Sequence, residues 1–136
     1  MAITWTIEDR EEIRELYARY CVTLDNGRYD EWIACFTEDG WFENPRFGRH
    51  AGPDGLKKLA AQYKESLGGA RVLHMVTNLM LDLNGSDGVG ICYLLYYHYK
   101  DGRVQRSTVG YYTDKLRKTG AGWRFASRQM TILGHN

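Results

Sequence analysis

Proline is nearly absent from this sequence, with two in 136 residues, and no excess of either charge exists: 18 Lys and Arg against 17 Asp and Glu leave a net charge of +1. So little proline, together with an ordinary apolar content, excludes a proline-rich disordered chain. The even charge balance gives no electrostatic footprint for nucleic acid or an anionic membrane surface. No apolar run is long enough to span a bilayer. The opening residues MAITWTIEDREE carry charge early and have no apolar core, so a signal peptide is not expected. The three cysteines, Cys21, Cys35 and Cys92, are odd in number and far apart. That pattern offers neither a disulfide framework nor a metal-ligand spacing, and buried free thiols in a reducing, cytoplasmic setting are expected. The length suits one domain over residues 1–136.

What is present is a change of period. From Thr6 to Asp25, Ile13, Leu16, Tyr17, Tyr20 and Leu24 recur at spacings of three and four, which predicts an amphipathic helix. Thr6 is its N-cap, with Glu8 and Asp9 in the first turn, and Asn26-Gly27 ends it. Tyr29, Trp32, Ile33 and Phe36 predict a second short helix. Glu38-Asp39-Gly40 reads as a turn, Trp41–Asn44 as a strand stopped by Pro45, and Phe47–Ala51 as its partner. Gly52-Pro53 opens a third helix that Gly68-Gly69 closes. From Arg71 the period becomes two, and four strands are expected: Arg71–Asn84, Val89–Lys100, Arg103–Lys118 and Gly122–Leu133. Asp101-Gly102 is a tight-hairpin signal. Helices first and an antiparallel meander afterwards predict an α+β domain with the helices on one face of a curved sheet.

The long strands are apolar on both faces. Leu73, Met75, Leu79, Leu81 and Leu83 alternate with Val72, His74, Val76 and Met80, and Ile91, Tyr93, Leu95 and Tyr97 alternate with Cys92, Leu94, Tyr96 and His98. Three helices cover one face only, so the other is expected to meet further copies of the chain, making a dimer or trimer.

Polar residues on apolar elements mark the candidate site. Asp25 stands in the last turn of the first helix, where the helix dipole disfavours an anion. His74 lies among apolar residues of the first long strand, and Arg128 among those of the last. Each suits a satisfied core residue as well as a catalytic one, and the residues alone leave both readings open. Tyr17, Tyr20, Trp41, Tyr93, Tyr97 and Tyr111 could line a pocket between helices and sheet, or build an aromatic core.

The stretches LYARYCVTLDNGRYDEWIACFTEDGWFENP and GWRFASRQMTI, in this order of elements, resemble the opening and the closing strand of the nuclear-transport-factor-two-like superfamily of cone-shaped α+β barrels. Within it, LDNGRYDEW with Asp25, HMVTNL with His74, the SRQ segment with Arg128, and Trp41 are most similar to SnoaL-like proteins of the scytalone dehydratase and hexachlorocyclohexane dehydrochlorinase type. The resemblance implies a histidine–aspartate dyad, His74 as general base and Asp25 as its partner, with Arg128 completing the catalytic set. Tyr20, Trp41, Tyr93, Tyr97 and Tyr111 are the expected substrate-binding residues. Such a site implies no metal and no organic cofactor. It suits removal of a proton from carbon with loss of water or halide, in a small hydrophobic cyclic substrate. The second histidine of a scytalone-dehydratase-like site would be His98, and the basic residue of a dehydrochlorinase-like site is not evident near Tyr20. Alternatives are an isomerase resembling ketosteroid isomerase, with Tyr20 at the oxyanion position but Asn44 where the base belongs, a polyketide-cyclase-like enzyme, and a non-catalytic small subunit or ligand-binding protein.

Overall fold

The computed structural model describes residues 4–136. Helix α1 (Ile7–Asp25) starts with a capping box: the Thr6 hydroxyl accepts from the Asp9 amide at 3.1 Å, and the Asp9 carboxylate accepts from the Thr6 amide at 2.8 Å. Its buried stripe is the one the spacing predicts, Ile13, Leu16, Tyr17, Tyr20 and Leu24. Each such side chain contributes about 1.5–3 kcal/mol when taken fully from water. Helix α2 (Tyr29–Ile33) is shorter than expected, and α3 (Gly52–Leu67) begins with Pro53 in its first turn and ends on Gly68 in a left-handed conformation.

Phe36 belongs to a strand rather than to the second helix. Strand β1 (Phe36–Asn44) runs straight through Glu38-Asp39-Gly40, which forms a bulge against its neighbour instead of a turn. Gly40 is needed there: a Cβ would stand 2.9 Å from the Thr37 carbonyl oxygen and 3.0 Å from that of Phe125. Strand β2 (Gly48–Ala51) pairs antiparallel with β1. The meander follows as β3 (Arg71–Asn84), β4 (Asp87–Lys100), β5 (Arg103–Thr119) and β6 (Gly122–His135), each running to or slightly past its expected bounds.

The result is an α+β fold with a six-stranded curled sheet in the order β2-β1-β6-β5-β4-β3, antiparallel except for the β1–β6 pair. The helices pack on one face of it, α1 against β3 and β6, and α3 against β1 and β2.

One irregularity in β3 matters for the site. Between Thr77 and Met80 the pairing with β4 shifts, and Asn78 takes a φ of 56°. The extra residue switches the inward face. Before it, Val72, His74 and Val76 point to the helices; after it, Leu79, Leu81 and Leu83 do. The strand looked apolar on both faces partly because one inward face is written in two parities.

Candidate active site

Asp25 and His74 meet 49 residues apart in sequence. The Asp25 carboxylate accepts from the His74 ring at Nδ1 over 2.5 Å, and from the His74 backbone amide over 2.8 Å. Both side chains are only 5% exposed. The two bonds explain how an anion survives at a helix C-terminus: β3 brings its own N–H and a ring N–H to the carboxylate, offsetting the repulsion of the unpaired helix carbonyls. With Nδ1 given to Asp25, Nε2 is the nitrogen left to accept a proton. Among the described residues it has no protein hydrogen-bond partner.

His74 lines a cavity of two adjoining lobes, both also lined by Asn44, Phe47, Tyr63 and Met130. The inner lobe, about 30 Å³, adds Tyr20, Trp32, Phe42 and Tyr112. The outer lobe, about 80 Å³, adds Leu94, Tyr96, Thr108, Ile132 and the side chains of Arg46 and Arg106. The ring of Tyr96 lies 4.5 Å from that of His74, and the Tyr63 and Tyr96 hydroxyls bond to each other at 3.0 Å.

Three polar groups are buried behind the lining of the inner lobe. The hydroxyls of Tyr20 and Tyr112 and the indole N–H of Trp32 are fully buried without hydrogen-bond partners. They converge: burial raises the Tyr20 pKa, while the Arg128 charge and the nearby Trp32 N–H and Tyr112 hydroxyl pull it down. Buried polar groups ordinarily find partners, and these three belong to residues that line the inner lobe.

Arg128 is not a lining residue. It is wholly buried, and Asp114, its cross-strand neighbour, holds it in a two-pronged pair, Nε to Oδ1 at 2.8 Å and Nη2 to Oδ2 at 3.0 Å. The Tyr17 hydroxyl donates to the same carboxylate at 2.6 Å. The guanidinium carbon sits 3.7 Å from the Tyr112 ring centre and 4.3 Å from those of Tyr20 and Phe125. Burial works against its charge, yet Asp114 outweighs that and holds its pKa well above the ordinary guanidinium value. It supports the inner lobe from beneath, through the rings of Tyr20 and Tyr112.

Of the expected substrate-binding residues, Tyr20 reaches the cavity and the others do not. Strand alternation sends Tyr93 and Tyr111 to the outer sheet face, where they line a shallow groove with Ile91, Val109 and Leu133. Tyr97 shares the parity of Tyr93 and lies near Tyr99, their ring centres 6.3 Å apart. Trp41 turns away from buried Phe42 and is covered by the Arg49 guanidinium at 3.7 Å. His98 has the inward parity of Tyr96, its ring centre 6.2 Å from that of Tyr96, but it does not line the cavity. Trp32, Tyr112, Tyr63, Tyr96, Arg46 and Arg106 were not expected in the site. The signal that could have found Tyr112 and Tyr96 is register: Tyr96 lies opposite His74, and Tyr112 shares the inward parity of Asp114.

Burial pushes the Cys21 thiol up to about 12 and those of Cys35 and Cys92 up to about 11, which removes them as nucleophiles. No group of three His, Cys, Asp or Glu side chains that could hold a metal occurs among the described residues. Among the described residues no helix is long and apolar enough to cross a membrane.

Comparison with known proteins places this geometry. The SnoaL-like domain family matches residues 5–129. Among solved structures, a nuclear-transport-factor-two-like protein with a cystatin-like fold from Novosphingobium aromaticivorans is 28% identical over 93% of this chain and 83% of its own, with a TM-score of 0.80. A provisional scytalone dehydratase from the same organism is 24% identical over 96% and 87%, with a TM-score of 0.81. LinA is 19% identical over 96% and 89%, with a TM-score of 0.84. At these identities the last two show the shared fold alone. No protein with a curated description matches the sequence.

Proposed function

We propose that this chain, which belongs to the SnoaL-like domain family, is a cofactor-independent lyase acting on a small hydrophobic cyclic molecule, with His74 as general base and Asp25 as its partner. The observation that carries the reading is the Asp25–His74 pair with Nε2 left toward a mostly apolar cavity. In the reaction, Nε2 takes a proton from a substrate carbon. The electron pair of that C–H bond forms a C=C bond, and the bond to the β substituent breaks with its pair going to the leaving group, a hydroxyl or a halide. A departing hydroxyl takes the proton back as water; a halide leaves alone and the imidazolium gives its proton to solvent. Asp25 fixes the tautomer and stabilises the imidazolium. Tyr20, Tyr112 and Trp32, whose polar atoms are buried behind the inner lobe, supply hydrogen bonds to the group that gains negative charge once the substrate is seated. The scytalone dehydratase name of one structural relative accords with this class of chemistry.

The test is a panel of small cyclic β-hydroxy ketones and halogenated rings, followed by the absorbance of the new double bond. Asp25→Asn and His74→Ala, with unchanged circular dichroism, should lower turnover by about 10²–10⁴-fold. Elimination undiminished in His74→Ala rules the mechanism out.

A second reading draws on the same unpartnered Tyr20 hydroxyl: a carbonyl oxygen bound at the inner lobe while His74 moves a proton between two carbons, an isomerisation. It predicts a product that retains every atom of the substrate. Asn44 lines the cavity but offers no base.

The assembly we propose is a homo-oligomer joined through the outer sheet face, where Leu73, Met75, Ile91, Tyr93 and Val109 are exposed. A mass of one chain in light scattering at micromolar concentration counts against it. A cytoplasmic location is proposed with it, as a reducing setting suits three free thiols.

A further inference from the structure

We infer that the molecule bound in the cavity carries an anionic group, held at the mouth by Arg46 and Arg106. This rests on the reading of the cavity as the substrate site and adds a substrate class to it.

The outer lobe is lined by apolar and hydroxyl-bearing residues, by Asn44 and His74, and by two arginines, Arg106 and the exposed Arg46. Arg46 comes from the β1–β2 turn. The Asn44 side-chain oxygen accepts from its backbone amide at 2.7 Å and fixes that turn, and its guanidinium lies 5.1 Å from the Phe47 ring centre. Arg106 comes from β5, opposite His98 on β4, and is half-buried. Neither is in an ion pair among the described residues.

No Asp or Glu lines the outer lobe. The Asp25 carboxylate is committed to the ring and backbone amide of His74. The two charges act on common ground. Burial lowers the pKa of His98, and Arg106 and Arg46 lower it further; the same pair opposes the rise that burial gives the Tyr96 hydroxyl. Two like charges beside an apolar recess, with no internal counter-ion, concentrate positive potential at its mouth. A guanidinium matches a carboxylate or phosphate with paired donors, and does so best where a low-dielectric wall excludes water. The recess thus pairs cationic residues in its outer lobe with a single base and an otherwise mostly apolar lining. An anion at the mouth leaves the ring of the ligand beside His74.

The experiment is an amide NMR titration with benzoate, phenyl phosphate and neutral benzamide. Benzoate or phenyl phosphate should bind at least about tenfold more tightly than benzamide, shifting the amides of His74, Tyr96 and Thr108. The preference should shrink as salt is raised in the unaltered protein. Arg106→Gln, and more strongly Arg46→Gln with Arg106→Gln, should remove the preference and leave benzamide affinity in place. Which anion wins distinguishes a carboxylate from a phosphate substrate. Equal affinity for all three probes, or a preference that survives the double substitution, overturns the inference while the cavity remains a small-molecule site. Failure of all three to bind removes the inference together with the substrate-site reading, and the elimination panel then tells whether His74 acts elsewhere.

Discussion

Asp25–His74 and Asp114–Arg128 are both carboxylates clasping a basic side chain inside an apolar core, and both draw on the last strands or the first helix to do so. They differ in what surrounds the pair. Around Asp114 every direction is filled: Arg128 closes on it from β6, Tyr17 from α1, and aromatic rings cover the guanidinium. Around His74 one direction is open, and it leads to the cavity. A buried charge pair with no opening holds elements together, whereas one with a free nitrogen facing a recess is placed to move a proton. The difference lies in the packing, not in residue type.

The largest effects should separate the two centres cleanly. Asp114→Asn leaves Arg128 charged and uncompensated, and should cost about 3–5 kcal/mol in urea unfolding at neutral pH. Asp25→Asn should cost at most about 2 kcal/mol and keep the fold, since the asparagine oxygen can still accept from the His74 amide. Equal costs would erase the distinction.

Two tyrosines one helical turn apart sharpen it. Tyr17→Phe removes a bond to a buried carboxylate and should cost about 1.5–3 kcal/mol. Tyr20→Phe removes a hydroxyl without a protein partner, so stability should be unchanged or rise by up to about 1 kcal/mol. Its effect should fall on turnover, with Tyr112→Phe behaving alike. A large loss of stability in Tyr20→Phe would mean that the hydroxyl is partnered by the protein rather than kept for a ligand.

The smallest effect concerns a third carboxylate, Asp9, which accepts from Lys118, Trp123 and the N-cap of α1. The Lys118 and Trp123 hydrogen bonds, ahead of that of Thr6, hold its pKa well below the ordinary carboxylate value. A depressed folded-state pKa contributes stability above the unfolded value, and that contribution is lost as pH falls through the range between the two. Asp9→Asn should therefore lower Tm by a few degrees at pH 7, with the gap to the unaltered protein closing below pH 4. A constant gap down to acid pH would show that the carboxylate charge plays no part.

The helices and the meander were legible in the sequence because their periods, three to four and then two, are written in long runs. Asp25 and His74 stood out because each breaks an apolar pattern, and the family resemblance, not the pattern, paired them. Their neighbours were not. With both sheet faces apolar, parity does not say which face looks inward, and Tyr93, Tyr97 and Tyr111 were assigned to the wrong one. Asn78 hides a change of parity within a single strand. Trp32 and Tyr112 join Tyr20 only through the packing of α2 and β5 side chains against α1, and Arg46 and Arg106, 60 positions apart, share one recess only in the folded chain. Convergence of this kind is a property of register and curvature, which single positions do not record.

The central claim is that Asp25 holds the His74 ring with Nδ1 protonated and Nε2 bare toward the cavity. Nitrogen-15 NMR of the imidazole side chains at neutral pH tests it most directly. The account predicts a His74 Nε2 resonance at the position of an unprotonated ring nitrogen, lost in Asp25→Asn to the mixed tautomers of a free imidazole. A proton fixed on Nε2, or a spectrum unaltered by Asp25→Asn, contradicts it.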